Sequence, residues 1–386
     1  MRELPLVTNI LNKMEGVNKK QRKFILHLML LFLSLKGRYN FHQFSRYGNM
    51  NEQSYRNQFA NPFDFLRFNK NLVSGKIGVI AFDPSFIKKS GSSTPFRRYF
   101  WNGCVSKAEK GLELCGISFI ELEAKVSYHL EAVQTQVNKD DNETLLDYYC
   151  KIIKSRALIL NDLSNIWVAD GYFSKQKVIE VIKECSCVFV SKLRKDANLK
   201  FLFYGHQKEG RGRHKLYGDK LNMKALNLDN FVCAKLGNTE LYSKVVWAVG
   251  FKTKIKFVVV KQNSKMFFLF STDLEMKAEK IFQIYSARFQ IEFLFRDAKQ
   301  FCGLTDCQAR NVDAIYYHWN ASLTAVSIAK IMYKKSGIPF SMANVKRKYY
   351  NQLLLDLFLS KFEINPNLKK NKYIIDTITN FGKIAA

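Results

Sequence analysis

Six side chains stand at spacings that would suit phosphoryl chemistry: Asp83, Asp170, Tyr285, Arg288, Glu292 and Lys299. The last four lie in the run Ile284 to Lys299, at intervals of 3, 4 and 7. At about 100° per residue they share an arc of roughly 60° on an α-helix. Ile284, Phe289, Ile291, Phe293, Leu294, Phe295 and Ala298 occupy the rest of the turn, so the helix is expected to be buried with its polar stripe facing a partner. The plainer alternative is an ordinary helix with one Arg288/Glu292 pair, worth about 0.2–0.5 kcal/mol. Asp83 closes the apolar run Ile77–Phe82 and precedes Pro84, and Asp170 closes Ile166–Ala169 and precedes Gly171. Each sits where a buried strand is expected to stop. Two strand-end aspartates and a glutamate from a later helix form an arrangement that holds two divalent cations for in-line phosphoryl transfer. Either aspartate alone is also explained as a turn former, but that reading fits poorly for both together with Glu292. Asp297 points about 140° away from Glu292 on the same helix, and Asp273 reads as a cap.

The elements that must position these groups follow from periodicity. Ile77–Phe82 reads as a first strand, with Gly111–Glu121 and Val126–Gln134 as an antiparallel pair beside it. Leu145–Arg156 reads as a helix, Ile166–Ala169 as a strand, Lys175–Glu184 as a helix with Ser174 at its N-cap, and Val188–Leu193 as a fifth strand. The pattern supports an α/β class. Between residues 194 and 261 it is interrupted by β-rich runs, with 15 basic against 5 acidic residues. The sheet resumes at Met266–Phe270, and Thr272-x-x-Glu275 offers a capping box for the long helix carrying the polar stripe. After Gly303 helices return at Val312–Lys334 and Met342–Lys361, followed by a Lys-rich tail from Lys369. His318 is expected to pack or hydrogen-bond there, since no second ligand is spaced to make it a metal site.

The first 76 residues hold 13 Lys/Arg against 4 Asp/Glu. Helix signals run over Lys19–Leu35, Asn40–Tyr47 and Asn51–Phe59 with breaks at Gly37 and Gly48-Asn49, a spacing that suits a helix-turn-helix. Its third helix would present Gln53, Ser54, Arg56 and Asn57 to bases or phosphates; a basic bundle that only supports the rest of the chain is the alternative. Lys88 and Lys89, in a polar loop beside Asp83, either meet a phosphate backbone or are solvated charges. Arg211 and Arg213 belong to an exposed basic loop, Arg211–Lys215. That stretch is no P-loop, because Arg211 stands where Lys is needed and no Ser or Thr follows it.

Composition bounds the partners. The 386 residues carry 61 Lys/Arg against 33 Asp/Glu, a net charge of +28, which calls for a polyanion and steep salt sensitivity. Nucleic acid leads; a membrane surface is disfavoured because the charge is spread along the chain. The longest apolar run, Phe24 to Leu35 with His27 inside it, falls short of the ~20 residues that span a bilayer. The eight cysteines include no C-x2-C pair, so reduced thiols in a cytoplasm fit better than a zinc site.

The motif Tyr285-x2-Arg288-x3-Glu292-x6-Lys299, with the upstream segments FDPSFIKKSG and VADGYF, resembles the DDE transposases of bacterial insertion sequences, in the group named for its YREK motif. The order of motifs matches over roughly residues 77–310. The resemblance implies a ribonuclease H-like mixed sheet with a β-rich insertion over about 194–261. With the helical readings on either side, the expected organisation is a helical DNA-binding region over 1–76, a catalytic region over 77–305 and a C-terminal helical region over 306–386. The resemblance also implies two Mg²⁺ ions, with Mn²⁺ able to substitute, held by Asp83 as the bridging ligand and by Asp170 and Glu292. Tyr285, Arg288 and Lys299 would grip phosphates near the cut. An aromatic of the insertion meets a flipped base in the family, and Trp247 is the only Trp there; core packing is its other reading. The expected partners are double-stranded DNA, as element ends and target, and a second copy in a homodimeric synaptic complex, in the bacterial cytoplasm at the nucleoid, with no membrane. The expected activity is cleavage at the ends and transfer of the 3′ ends to target DNA. Two rivals are a non-catalytic DNA-binding protein descended from a transposase and a resolvase or repair-type nuclease of the same fold.

Overall fold

Four short polar side chains start the N-terminal helices. Asn18, Asn40, Asn51 and Asp64 accept hydrogen bonds from the backbone N–H of Gln21, Gln43, Ser54 and Arg67 at 2.8–2.9 Å, each three residues on. A computed structural model describes residues 4–137, 142–207, 214–215, 217–263, 265–337, 339–366 and 368–383. The caps open α2 (Lys19–Ser34), α3 (Phe41–Tyr47), α4 (Glu52–Phe59) and α5 (Phe65–Val73), preceded by α1 (Pro5–Lys13), which starts on a proline. Helices α1 and α5 were not anticipated from the periodicity.

The sheet begins with β1 (Gly78–Lys88), β2 (Arg98–Asn102), β3 (Lys107–Glu121) and β4 (Val126–Gln134), followed by α6 (Leu145–Leu160), β5 (Ile166–Val168), α7 (Gln176–Glu184) and β6 (Val188–Leu193). The order β4-β3-β1-β5-β6 has three antiparallel strands and then two parallel to β1, the ribonuclease H-like arrangement. Next come β7 (Leu199–Leu202), β8 (Tyr217–Lys220), β9 (Val232–Leu236), β10 (Thr239–Ala248), β11 (Thr253–Gln262) and β12 (Lys265–Ser271). Because β12 pairs antiparallel with β6, the inserted strands extend the same sheet instead of forming a separate one. The chain ends in α8 (Ala278–Ala287), α9 (Gln290–Phe301), α10 (Val312–Ser336), α11 (Met342–Lys361) and α12 (Lys369–Asn380).

Helix α10 joins the sheet to the N-terminal helices. On one side Asn320 answers the exposed edge of β4, accepting from Ala132 N and donating to Ala132 O, both at 2.9 Å. Ser327 accepts from His129 N at 2.7 Å, and Asn69 of α5 donates to Leu130 O. These side chains close a strand edge that would otherwise be open to pairing. On the other side Tyr317 packs against Phe24 and Phe59, and His318 against Phe32. The helices of residues 4–73 therefore share one contiguous apolar core with α10 and the sheet.

Four local expectations are corrected. Strand β1 does not stop at Asp83 but runs five residues further, paired with β3 throughout; Pro84 is tolerated there because β1 has already parted from β5. Ser174 does not cap α7, since its hydroxyl donates to Lys192 O and Lys175 stands at the N-cap. The Thr272 capping box does not form, because Thr272 Oγ1 accepts from Phe189 N and α8 starts after Lys277. The long helix is two helices, with a tight turn at Arg288–Phe289 where backbone bonds span three residues.

Candidate active site

Register brings the two aspartates together. Ala81 of β1 faces Val168 of β5 in a parallel pair, so two residues on, Asp83 and Asp170 emerge at one level and on one face. Asp83 sits inside β1 opposite Gly116. Asp170 follows β5 and accepts the N–H of Tyr172 at 3.0 Å, which fixes the turn of Gly171–Phe173. Its backbone carbonyl accepts from Ser191 Oγ at 2.8 Å.

Helix α9 supplies the third carboxylate, and a missing side chain sets how near it comes. A Cβ on Gly116 would lie 2.8 Å from Phe295 Cε1 and closer still to Cζ. With hydrogen alone there, Phe295 seats on the sheet beside Asp83, and Glu292 lies one turn earlier. Gly116 was not singled out in the sequence, though a glycine in an otherwise apolar strand is a signal of close approach.

Between the carboxylates lies Arg288, only 5 % exposed. Its Nη2 donates to Glu292 Oε1 at 2.8 Å, and its Nη1 stands 3.5 Å from Asp83 Oδ1. Burial pushes the Asp83 carboxyl up to about 7; Arg288 opposes that rise, while the charges of Asp170 and Glu292 add to it. Burial disfavours the Arg288 charge, but Asp83 and Glu292 outweigh it and hold the guanidinium protonated. Its Nε is buried without a partner among the described residues, an arrangement that costs about 1–3 kcal/mol.

Of the remaining expected groups, Tyr285 and Lys299 stand beside this centre, and the others lie away from it or outside the described residues. Tyr285 is half-buried at the end of α8, its ring beside the Arg288 guanidinium. Lys299 donates to Ser85 Oγ at 3.0 Å and Phe86 O at 3.1 Å, clamping α9 onto β1 beyond Asp83, and burial lowers its pKa. Lys88 is exposed at the end of β1, whereas Lys89 donates to Cys307 O. Arg56 is exposed on α4, paired with Glu52 and lying over Phe41. Trp247 is half-buried on β10, stacked on Tyr217. The level of Asp170 passes through Lys192, Leu269 and Val258 to Ser243 of β10. Trp247 thus stands roughly 24 Å across the sheet from β1 and about 13 Å below that level. Arg211 and Arg213 lie outside the described residues. His318 Nε2 lies 2.8 Å from Gly303 O, a buried structural contact, and all eight cysteines are free thiols.

Residues 74–328 match the family described as the transposase DDE domain. The chain belongs to that family. No curated protein matches this transposase. Family membership implies a DNA substrate and chemistry that relies on divalent cations. The donors of this transposase suit such a cation chemically: three hard carboxylates, one of which, Asp83, burial pushes up to about 7, a rise that a nearby cation would oppose. Their present spacing is set by the Arg288 fork, which keeps Asp83 and Glu292 on separate nitrogens, and among the described residues no three His, Cys, Asp or Glu side chains converge on one point. Among the described residues of the transposase no helix is long and apolar enough to cross a membrane.

Proposed function

We propose that this transposase binds the ends of its own mobile element, cuts them with Mg²⁺ and joins the freed 3′ ends to target DNA in the bacterial cytoplasm. The supporting observation is the level placing of Asp83 and Asp170 at the ends of a parallel pair, with Phe295 of α9 seated over Gly116 and Glu292, one turn earlier, linked to Asp83 through Arg288. Asp83, Asp170 and Glu292 would be the residues that hold the ions. When bound, two such ions supply a nucleophilic oxygen at neutral pH and stabilise the departing 3′ oxygen.

The chain's own residues prepare that chemistry. Arg288 supplies the counter-charge that keeps Asp83 and Glu292 together before the ions arrive. Its unpartnered Nε favours transfer to a phosphodiester, which a guanidinium grips by two parallel hydrogen bonds. Tyr285 lines the same phosphate path, and Lys299, on release from Ser85, meets the next phosphate. Helix α4 presents Gln53, Arg56 and Asn57 outward for reading the end sequence. We assign DNA binding to the regions 1–76 and 194–261, with Lys88, Lys89 and the Arg211/Arg213 loop as backbone contacts, and pairing of two copies to the synaptic stage. Trp247, far from the carboxylates, fits a base contact only on DNA that crosses the inserted strands.

Asp83→Asn, Asp170→Asn and Glu292→Gln should each abolish metal-dependent cleavage of element-end DNA while leaving binding in place. A variant cutting at the wild-type rate refutes the assignment. Arg288 between two of the carboxylates is what a non-catalytic descendant would also show, and that reading stands if wild-type protein binds DNA but never cuts with Mg²⁺ or Mn²⁺.

A further inference from the structure

Beyond the carboxylate centre the molecule carries a second polar cleft of about 890 Å³. Its walls come from three parts of the chain distant in sequence: α3 and α4, the end of β1 with the loop that follows, and the link between α9 and α10. Arg38, Arg56, Lys88, Lys89 and Arg310 line it. Only two carboxylates share the cleft, and both are committed. Glu52 pairs with Arg56 and lies 3.7 Å from His42 Nδ1, and Asp306 accepts the N–H of Tyr39 at 3.0 Å. Arg38 and Arg310 are exposed and make no side-chain hydrogen bond or ion pair with a described residue. The cleft therefore holds a surplus of positive charge with two uncommitted guanidinium groups. Thr305 and Gln308 add polar donors.

Position and size narrow what would enter. Lys88 is five residues along β1 from Asp83, about 17 Å of strand. A strand leaving the carboxylates reaches the cleft after a few nucleotides. The volume lies in the range of about 300–1,000 Å³ that encloses ligands of small-molecule size, so a few nucleotides of one strand can sink into the cleft, whereas a duplex would lie across its mouth. An anionic chain one strand thick, with its phosphates against guanidinium and ammonium groups, meets both limits.

We infer that this cleft takes the phosphodiester backbone of a short unpaired DNA strand next to the cut, with Arg38 and Arg310 as its phosphate ligands. The inference rests on the transposase reading above and extends it from duplex ends to a separated strand. The cleft is also where α3 and α4 meet the catalytic sheet, so a strand seated in it ties recognition of the end to the position of the cut.

The test measures binding of full-length protein, without divalent ions, to a blunt element-end duplex and to the same duplex carrying a short unpaired overhang. Wild-type protein should prefer the overhang by about tenfold or more. The double variant R38A/R310A should lose that preference, and its salt slope for the overhang should flatten by about 1.4, two single-strand phosphates at roughly 0.7 each. Both arginines are exposed, so folding is not at stake, and R38K/R310K should keep most of the preference. Equal wild-type affinity for the two DNAs, or equal losses on both in the double variant, would overturn the inference while leaving the transposase reading intact. Failure to bind either DNA would overturn both.

Discussion

Gly116→Ala tests the idea that the approach of α9 sets the active geometry. The new methyl would sit 2.8 Å from Phe295 Cε1 and nearer to Cζ, against about 3.5–4.0 Å for ordinary carbon contact, so a gap of about 1 Å must open. Phe295 is 4 % exposed and its neighbours Leu294 and Ala298 are fully buried, so the ring has no free space to swing into. Overpacking of this kind costs about 1–3 kcal/mol. If the helix moves instead, Glu292 retreats from Asp83 by a similar distance, and a displacement of that size costs about 10²-fold in rate. The measurements are Tm and the rate of Mg²⁺- or Mn²⁺-dependent nicking of element-end DNA. Phe295→Leu, by trimming the far edge of the ring, should return much of the activity to the double variant, with a favourable coupling between the two changes. Wild-type Tm and nicking in G116A, or a double variant no better than the worse single one, would refute the reasoning.

Other consequences are as direct. Lys299→Ala should loosen the seat of α9 on Ser85 and Phe86 and also weaken end binding with a salt slope shallower by about 1; a fall in Tm with an unchanged slope would leave Lys299 a purely structural clamp. Deleting residues 1–73 would uncover Tyr317 and His318, so recognition by α4 is better tested by R56A/N57A, which should reduce preference for element ends over random DNA without lowering Tm by more than a degree or two. Lys346 is buried against Phe32 O and Tyr39, and burial brings its pKa down from 10.5 to about 8. Between those values the unfolded chain binds more protons, so this group's contribution to stability rises with pH through that window, and below pH 8 the buried charge costs about 3 kcal/mol. Lys346→Met should therefore raise Tm more at pH 7 than at pH 10, and an equal change at both would count against it.

Much of this was legible in the residues because local rules and global packing agree. The helix signals over Lys19–Leu35, Asn40–Tyr47 and Asn51–Phe59, separated by breaks at Gly37 and Gly48-Asn49, announced three helices that formed within a residue of expectation, and the alternation in Gly111–Glu121 and Val126–Gln134 announced an antiparallel pair. The carboxylates were picked out because strand ends and helix stripes have fixed periods. What stayed hidden depends on contacts between distant segments. Thr272 looked like a cap, but its hydroxyl answers Phe189 of β6. The turn at Arg288–Phe289 left no Gly or Pro behind, so the apolar period runs through it unbroken. Asp83 looked terminal because the apolar run ends there, while β3 carries β1 onward through Pro84 and Ser85. The role of Arg38 and Arg310 had no local signal, since their cleft exists only after α3, β1 and the α9–α10 link have assembled.

The place of α10 has a consequence for synthesis. Phe24, Phe32 and Phe59 are made early, yet the aromatic partners that complete their packing, Tyr317 and His318, are more than 250 residues downstream. At a ribosomal pace of roughly 5–20 residues per second, the first helices wait on the order of 10–50 s before their cover emerges. During that interval they present phenylalanines without this cover to solvent, and a nascent chain cut short before α10 would be a substrate for chaperones and proteases instead of a free-standing DNA-binding fragment.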